Sequence, residues 1–294
     1  MLKMWGRAEA YGAISVVNAV ATGLGCSLGV GLRIEAEVKI IEEANGVEVR
    51  LEGVEHQLAD IESSKIMAQA IIEALAKRRV GAEVITHSEI PLARGLKSSS
   101  AAANAIALAA KAALGERVDD LELVKIGVNA AIKAKVTITG AFDDACASYF
   151  GGYCLTDNTN LKLLRREEGP EDLEVVIYVP EERLDKQKIS KEIVERFKPF
   201  ALQAFKLASE GRYLEALTIN GLIYSAALGF DVRAAAEAIK HGALAAGLSG
   251  TGPAVSALCK SENVNEVFSA LRSLGGKVIL TKVNNRRARV LASG

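Results

Sequence analysis

Residues 91–101, PLARGLKSSSA, place three adjacent hydroxyls, Ser98, Ser99 and Ser100, at the entrance of an alanine-rich stretch. The first turn of a helix carries unpaired N–H groups and the positive end of the helix dipole, so it attracts anions. Gly95 lets the chain bend and lets a ligand approach where a β-carbon would otherwise stand. The serine hydroxyls suit phosphate oxygens or a magnesium ion, and alanines from Ala101 onward let the helix lie close to a sheet. Pro91, Leu92, Ala93, Arg94, Leu96 and Lys97 complete the segment. An ordinary serine-capped helix accounts for the same letters without any ligand.

Two further stretches carry groups of chemical interest. In GLSGTGPAVSAL (247–258), Gly247, Ser249, Gly250, Thr251 and Gly252 suit a tight turn between a helix and a strand, whose N–H groups line an anion site or simply turn the chain. In TGAFDDACASYFGG (139–152), Asp143 and Asp144 stand side by side after a Thr-Gly turn. They read either as first-turn helix caps or as a proton acceptor beside a cation- or substrate-orienting group. A GxxxxGK[ST] phosphate loop is absent from the sequence, and the glycines at 23, 25, 29 and 31 lack the Rossmann spacing.

Positioning these groups falls to alternating strands and helices. Strand periodicity marks 32–42 and 46–53, with EANG as a hairpin turn between them, and 81–90 runs into Pro91. Helices are expected at 60–79, 98–114 and 119–134, the last capped by Asp119 or Asp120. After a polar boundary around 158–172 come a strand at 173–180 and helices at 189–208, 212–228 and 231–246. A strand at 253–260, a helix at 264–274 and a final strand at 276–283 follow. Strands alternating with helices in both halves indicate an α+β or α/β class.

The chain has 294 residues, half of them hydrophobic, with 36 basic and 36 acidic side chains. That balance points away from nucleic acid and membrane surfaces and toward a metabolite-sized partner. Cys26, Cys146, Cys154 and Cys259 form no CxxC pair, which suits buried thiols in a reducing compartment. The N-terminal letters lack a secretory h-region, so a cytoplasmic protein, monomeric or homodimeric, is expected. His56, His87 and His241 lie outside the motifs and read as surface or packing residues.

In order and wording, these stretches resemble the GHMP kinase superfamily. Its central motif, P-x-x-x-G-L-x-S-S-x-A, matches Pro91–Ala101; GLSGTGPA corresponds to its C-terminal glycine motif, and GAFDDACASYFGG to its aspartate-bearing segment. Within the superfamily, PLARGLKSSSA, TGAFDDA, LSGTGPA and NAVATGLGCSLG are similar to the archaeal-type shikimate kinases. The resemblance implies an α+β, two-domain GHMP kinase fold. Residues 1–165 would resemble the second domain of ribosomal protein S5 and 166–294 a ferredoxin-like sandwich. ATP would lie between them, its phosphates on the N-terminus of the 98–114 helix.

The implied roles follow residue by residue. Asp143 aligns with the aspartate that receives the proton of the attacking hydroxyl, and Asp144 is the second choice. Arg7 occupies the first-strand place where relatives carry Lys or Arg, and Ser99 aligns with the magnesium-coordinating serine, flanked by Ser98 and Ser100 for the phosphates. Ile132 and Lys133 stand where several relatives carry a second magnesium ligand, which leaves the ion to fewer groups or to Asp144. Lys97 replaces a usual glycine, as a charge beside the phosphates or as a solvated side chain. The implied activity is ATP-dependent phosphorylation of the 3-hydroxyl of shikimate, with Arg94, Lys135, Arg7 and Asn18 as candidates for the acceptor's carboxylate and hydroxyls. Open alternatives are the same fold acting on homoserine, mevalonate or a sugar, a non-catalytic metabolite sensor, and an oxidoreductase with glycine-rich turns.

Overall fold

Glycine and alanine dominate where backbones must approach one another, and the first strand shows why. In the computed structural model, which describes residues 4–41, 43–44, 46–137, 140–181 and 191–294, β1 (Trp5–Val17) carries the long helix α2 (Ser98–Leu114) across its face. A β-carbon on Gly6 would stand 2.2 Å from the carbonyl oxygen of Ala109, so only glycine admits the helix at this separation. Ala103, Ala105, Ala107, Ala109 and Ala110 are buried along α2. Each such methyl contributes only about 0.8 kcal/mol. Their main effect is therefore geometric: the helix lies close to the sheet and its N-terminus is fixed in place.

The first sheet runs in the order β11-β1-β2-β4-β3, formed by β1, β2 (Leu24–Ile41), β3 (Val47–Glu52), β4 (Gly81–Ser88) and the C-terminal β11 (Arg289–Ser293). β5 (Tyr153–Asp157) pairs with the start of β2, and β6 (Lys162–Glu167) pairs with β5. Helices α1 (Leu58–Ala76), α2 and α4 (Phe142–Phe150) pack on this sheet, and α3 (Asp120–Lys133) packs on those three helices. The side chain of Asp119 caps α3 by accepting from the Leu121 N–H.

The second sheet is antiparallel, in the order β10-β7-β9-β8, from β7 (Leu173–Val179), β8 (Ala243–Leu248), β9 (Val255–Lys260) and β10 (Lys277–Lys282). α7 (Tyr213–Leu228) lies between the two sheets, against β1 and β8, and α6 (Lys198–Ser209) packs on α7 and on β1 and β2; α8 (Arg233–Lys240) and α9 (Val264–Arg272) also pack on the second sheet. The chain passes from one sheet to the other between Glu167 and Leu173, and β11 returns it to the first.

Three local expectations need correction. The segments 32–42 and 46–53 are not a hairpin: β3 runs parallel to β4, Val49 opposite Val84, and β4 lies between β2 and β3. The crossover through α1 decides that pairing, whatever the turn letters favour. The helix expected over 231–246 ends at Lys240, and the helix-favouring letters ALAAGL form β8, because a strand here completes the ladder with β9. Of the helix expected over 189–208, residues 189 and 190 lie outside the described residues. The rest divides into α5 (Lys191–Arg196) and α6, with Pro199 in the first turn of α6.

Candidate active site

Ala93, Gly95 and Lys97 all have left-handed backbone, with φ of 56°, 81° and 66°. Alternating with ordinary residues, they coil residues 91–97 so that the first turn of α2 faces a cavity of about 360 Å³. Ser98, Ser99 and Ser100 line that cavity. Leu96 and Ala101 are buried in the core and anchor the turn.

The glycine motif holds this turn from the other side. It joins two strands, β8 and β9, rather than a helix and a strand. The hydroxyl of Ser249, itself buried, donates to the Gly95 carbonyl at 2.8 Å and accepts from the Ser15 N–H at 3.1 Å. The Ala254 N–H donates to the Arg94 carbonyl at 3.2 Å, and the Gly250 N–H to Ser15 Oγ at 3.0 Å. Gly250, Thr251 and Gly252 line the cavity. Gly247 does not: it packs against α7, where a β-carbon would stand 2.7 Å from the Leu217 carbonyl.

Asp143 and Asp144 lie in the first turn of α4 and are both buried. Neither caps the helix. The positive end of α4 favours their charge, while their oxygens reach across to β2. Ser27 Oγ stands 3.0 Å from Asp143 Oδ2 and 2.7 Å from Asp144 Oδ1. A hydroxyl has one proton to donate. Both contacts are therefore satisfied when one carboxyl is protonated and donates to the serine oxygen. Asn158 fixes Asp143 further: its Nδ2 donates to Oδ1 at 2.7 Å, and its Oδ1 accepts from the Asp143 N–H and from Thr156 Oγ1. Gly25 makes the room, because a β-carbon there would stand 2.7 Å from Asp143 Cγ.

Electrostatics distinguish the two carboxyls. Lys97 Nζ lies 3.0 Å from Asp144 Oδ1, and its side chain is only 7% exposed, so the solvated-lysine reading is excluded. Burial, and then the neighbouring Asp144 charge, push Asp143 up to about 7; Lys97 and the hydrogen bonds from Asn158 and Ser27 hold it down. Burial thus raises the proton affinity of Asp143, while Asp144 stands against Lys97.

Not every residue singled out from the sequence arrives here. Arg7 lies at the far end of β1, about half exposed, and its Nε donates to Glu35 Oε2 at 3.0 Å. Eight residues of strand at about 3.3 Å each put it roughly 26 Å from Ser15. It cannot serve the carboxyl pair, and the basic group that does is Lys97. Arg94 turns away as well, donating to the Pro180 carbonyl at 2.8 Å, beside a second cavity lined also by Pro91 and Leu92. Asn18 and Lys135 do line the main cavity. Asn18 is held from α7: its N–H donates to Asn220 Oδ1, and its carbonyl accepts from the Tyr224 hydroxyl. None of the three histidines lines the main cavity.

Three working residues, Ser15, Ser27 and Asn158, escaped the sequence reading. A signal exists for the first two: each is the one serine of its strand, in a stretch buried on both faces where apolar side chains prevail. For Asn158, just beyond β5, no local pattern marks it.

Among the described residues there is no cluster of three or more metal-ligating side chains. Ser99 and Asp144 offer the hard oxygen donors that magnesium takes, and an ion shared with phosphates needs few protein ligands. Ile132 and Lys133 lie exposed on α3, so no carboxylate comes from that position.

Known proteins bear on this arrangement. The family model for the GHMP kinases N terminal domain matches residues 62–152, and that for GHMP kinases C terminal matches 205–277. The chain is 44% identical to the shikimate kinase of Methanosarcina acetivorans over 285 residues, 96% of this chain and 95% of that protein. It is 42% identical to the shikimate kinase of Pyrococcus abyssi over 277 residues, 92% and 97% of the two. Among solved structures it resembles homoserine kinase from Cytophaga hutchinsonii, with a TM-score of 0.77 at 18% identity over 99% of this chain and 98% of that one. It also resembles Methanococcus jannaschii mevalonate kinase, with a TM-score of 0.73 at 17% identity over 94% and 98%. At such identities the structural likenesses establish the fold, which is the two-domain GHMP kinase fold.

Proposed function

The chain belongs to the GHMP kinases, and from that premise we propose that it transfers the terminal phosphoryl group of ATP to the 3-hydroxyl of shikimate. One observation carries the chemistry: a buried carboxyl, held by Ser27 and Asn158, shares a cavity with a serine-lined helix N-terminus. The near full-length identity to shikimate kinases carries the acceptor.

Phosphoryl transfer demands positioning and charge neutralisation more than covalent work by the protein. In the proposed mechanism the N–H groups of the first turn of α2, with Ser98 and Ser100, hold the phosphates. Asp143, ionised, accepts the proton of the attacking hydroxyl, and Ser27 and Asn158 keep its oxygens aimed. Magnesium, held by Ser99 and Asp144, would supply positive charge to the phosphate oxygens. Buried reduced cysteines accord with work in the cytoplasm.

The acceptor's carboxylate needs a cation. Among the described residues lining the cavity, the cations are Lys97, already paired with Asp144, and Lys135 on the rim. Thr86 and Ser88 of β4, with Ser63 and Ser64 of α1, offer hydroxyls on the same wall. Lys135→Ala is therefore expected to raise KM for shikimate by about 10- to 100-fold, the worth of one charge-assisted hydrogen bond. KM for ATP should stay nearly constant in the same steady-state assay. An unchanged KM for shikimate would move the carboxylate elsewhere.

The function itself is tested by coupled ADP release with ATP and magnesium, offering shikimate, homoserine, mevalonate and galactose in parallel. Release with shikimate alone is expected. Turnover with another acceptor instead would keep the kinase and discard shikimate, and ATP binding without release in any arm would favour a sensor.

A further inference from the structure

Lys97 occupies a position that local physics disfavours. It is the N-cap of α2, where the helix dipole repels a cation, and its φ of 66° is a left-handed conformation that glycine adopts without strain. Its ammonium is nonetheless buried against the site, 3.0 Å from Asp144 Oδ1 and 2.8 Å from Ser15 Oγ. Gly250 leaves the space, since a β-carbon there would stand 2.8 Å from Nζ. An ammonium carries three N–H donors. Among the described residues its hydrogen-bonded and ion-paired partners are Asp144 and Ser15, which leaves one donor for a ligand. A backbone strained at a cavity and a cation beside a positive helix end are reconciled when an anion binds between them.

We propose that Lys97 is the catalytic cation of the phosphoryl transfer: held by Asp144 and Ser15 at the mouth of α2, its ammonium contacts the moving phosphoryl group and neutralises charge that develops there. This rests on the kinase reading above. It gives a chemical reason for lysine at a turn position that otherwise favours glycine. It also gives Asp144 a second task besides magnesium: its Oδ1 holds Lys97 in place while Asp143 handles the proton.

The variant Lys97→Gly tests it, because glycine relieves the backbone strain at φ 66° and so favours folding. The full chain is assayed with shikimate for kcat and KM for ATP. The expected loss in kcat is about 10²- to 10³-fold. Partial restoration of kcat by added propylammonium is expected as well, which a purely structural lysine would not allow. A second variant, Lys97→Met, keeps the test decisive if the glycine form is unstable. A kcat within about threefold of the parent, or a loss that propylammonium does not begin to restore, overturns the proposal. Turnover of the parent with shikimate is measured in the same series: its absence removes the kinase reading, whereas normal turnover of both proteins removes only the role of Lys97.

Discussion

Asp143→Asn is expected to lower kcat by about 10²- to 10⁴-fold while making the protein harder to unfold at alkaline pH. The loss follows from removing the proposed proton acceptor without changing the shape of the side chain. The gain follows from the cost of burying charge. Asp143 is raised from 3.8 to about 7 in the folded chain, chiefly by burial and then by Asp144. Between about pH 4 and 7 the folded state therefore binds more protons than the unfolded chain, and stability falls as pH rises through that window. Above it the whole cost is present. Asparagine has no such titration, so the difference in Tm between variant and parent should be largest near pH 8 and shrink toward pH 4. The same ionisation sets the activity of the parent, whose kcat/KM should decline as pH falls below about 7. Melting curves at pH 5 and 8 and single-turnover rates check both halves. Undiminished turnover would remove Asp143 as the base, and lost turnover with an equal Tm at pH 8 would mean that Lys97 already offsets the burial cost.

This opposition between stability and activity explains which parts of the site were legible in the sequence. The serine run and the adjacent aspartates are polar groups that a core would not choose, so they stand out against alanine, glycine and phenylalanine. Arg7 misled because a basic residue in the first strand satisfies a pattern, whereas position along that strand decides reach. Only the fold shows that Glu35 holds it at the far end. Lys97 was visible as a departure from glycine, but its partners come from β1 and α4, 82 and 47 residues away in sequence. The helices at 60–79, 98–114, 119–134 and 212–228 were legible from local periodicity, whereas α4 was not, and the one expected over 231–246 ran on into β8. The long strands were not legible: β1 from Ala8 to Val17 and the first half of β2 are buried on both faces, so no alternation marks them, and it emerges only over the half of β2 where one face is wet. Parallel pairing of β3 with β4 is likewise a non-local result that turn letters cannot convey.

Gly95→Ala should damage nucleotide binding and folding together, because one point joins the two loops of the proposed phosphate site. Its φ is +81°, and an added β-carbon would stand 2.2 Å from the Ser249 carbonyl oxygen and 3.3 Å from that of Gly252. Both obstacles are backbone, so neither can swing aside as a flexible side chain would. The left-handed conformation alone costs an L-residue about 1–2 kcal/mol. Relieving the clash adds to that by separating Ser249 from Gly95, whose 2.8 Å hydrogen bond ties the glycine motif to the entrance of α2. Ser15 would shift with Ser249, and Lys97 with Ser15. The expected result is a Tm lower by several degrees, KM for ATP raised at least about tenfold and a reduced kcat. Gly115→Ala supplies the control: that glycine caps α2 at its other end with φ +66° and nothing within 4 Å of a new β-carbon. It carries the conformational cost without the collision, so it should lose stability modestly and leave KM for ATP alone. The difference between the two variants then measures the close approach of the loops. Equal losses in both would mean that the turn yields, and that backbone preference alone keeps glycine at position 95.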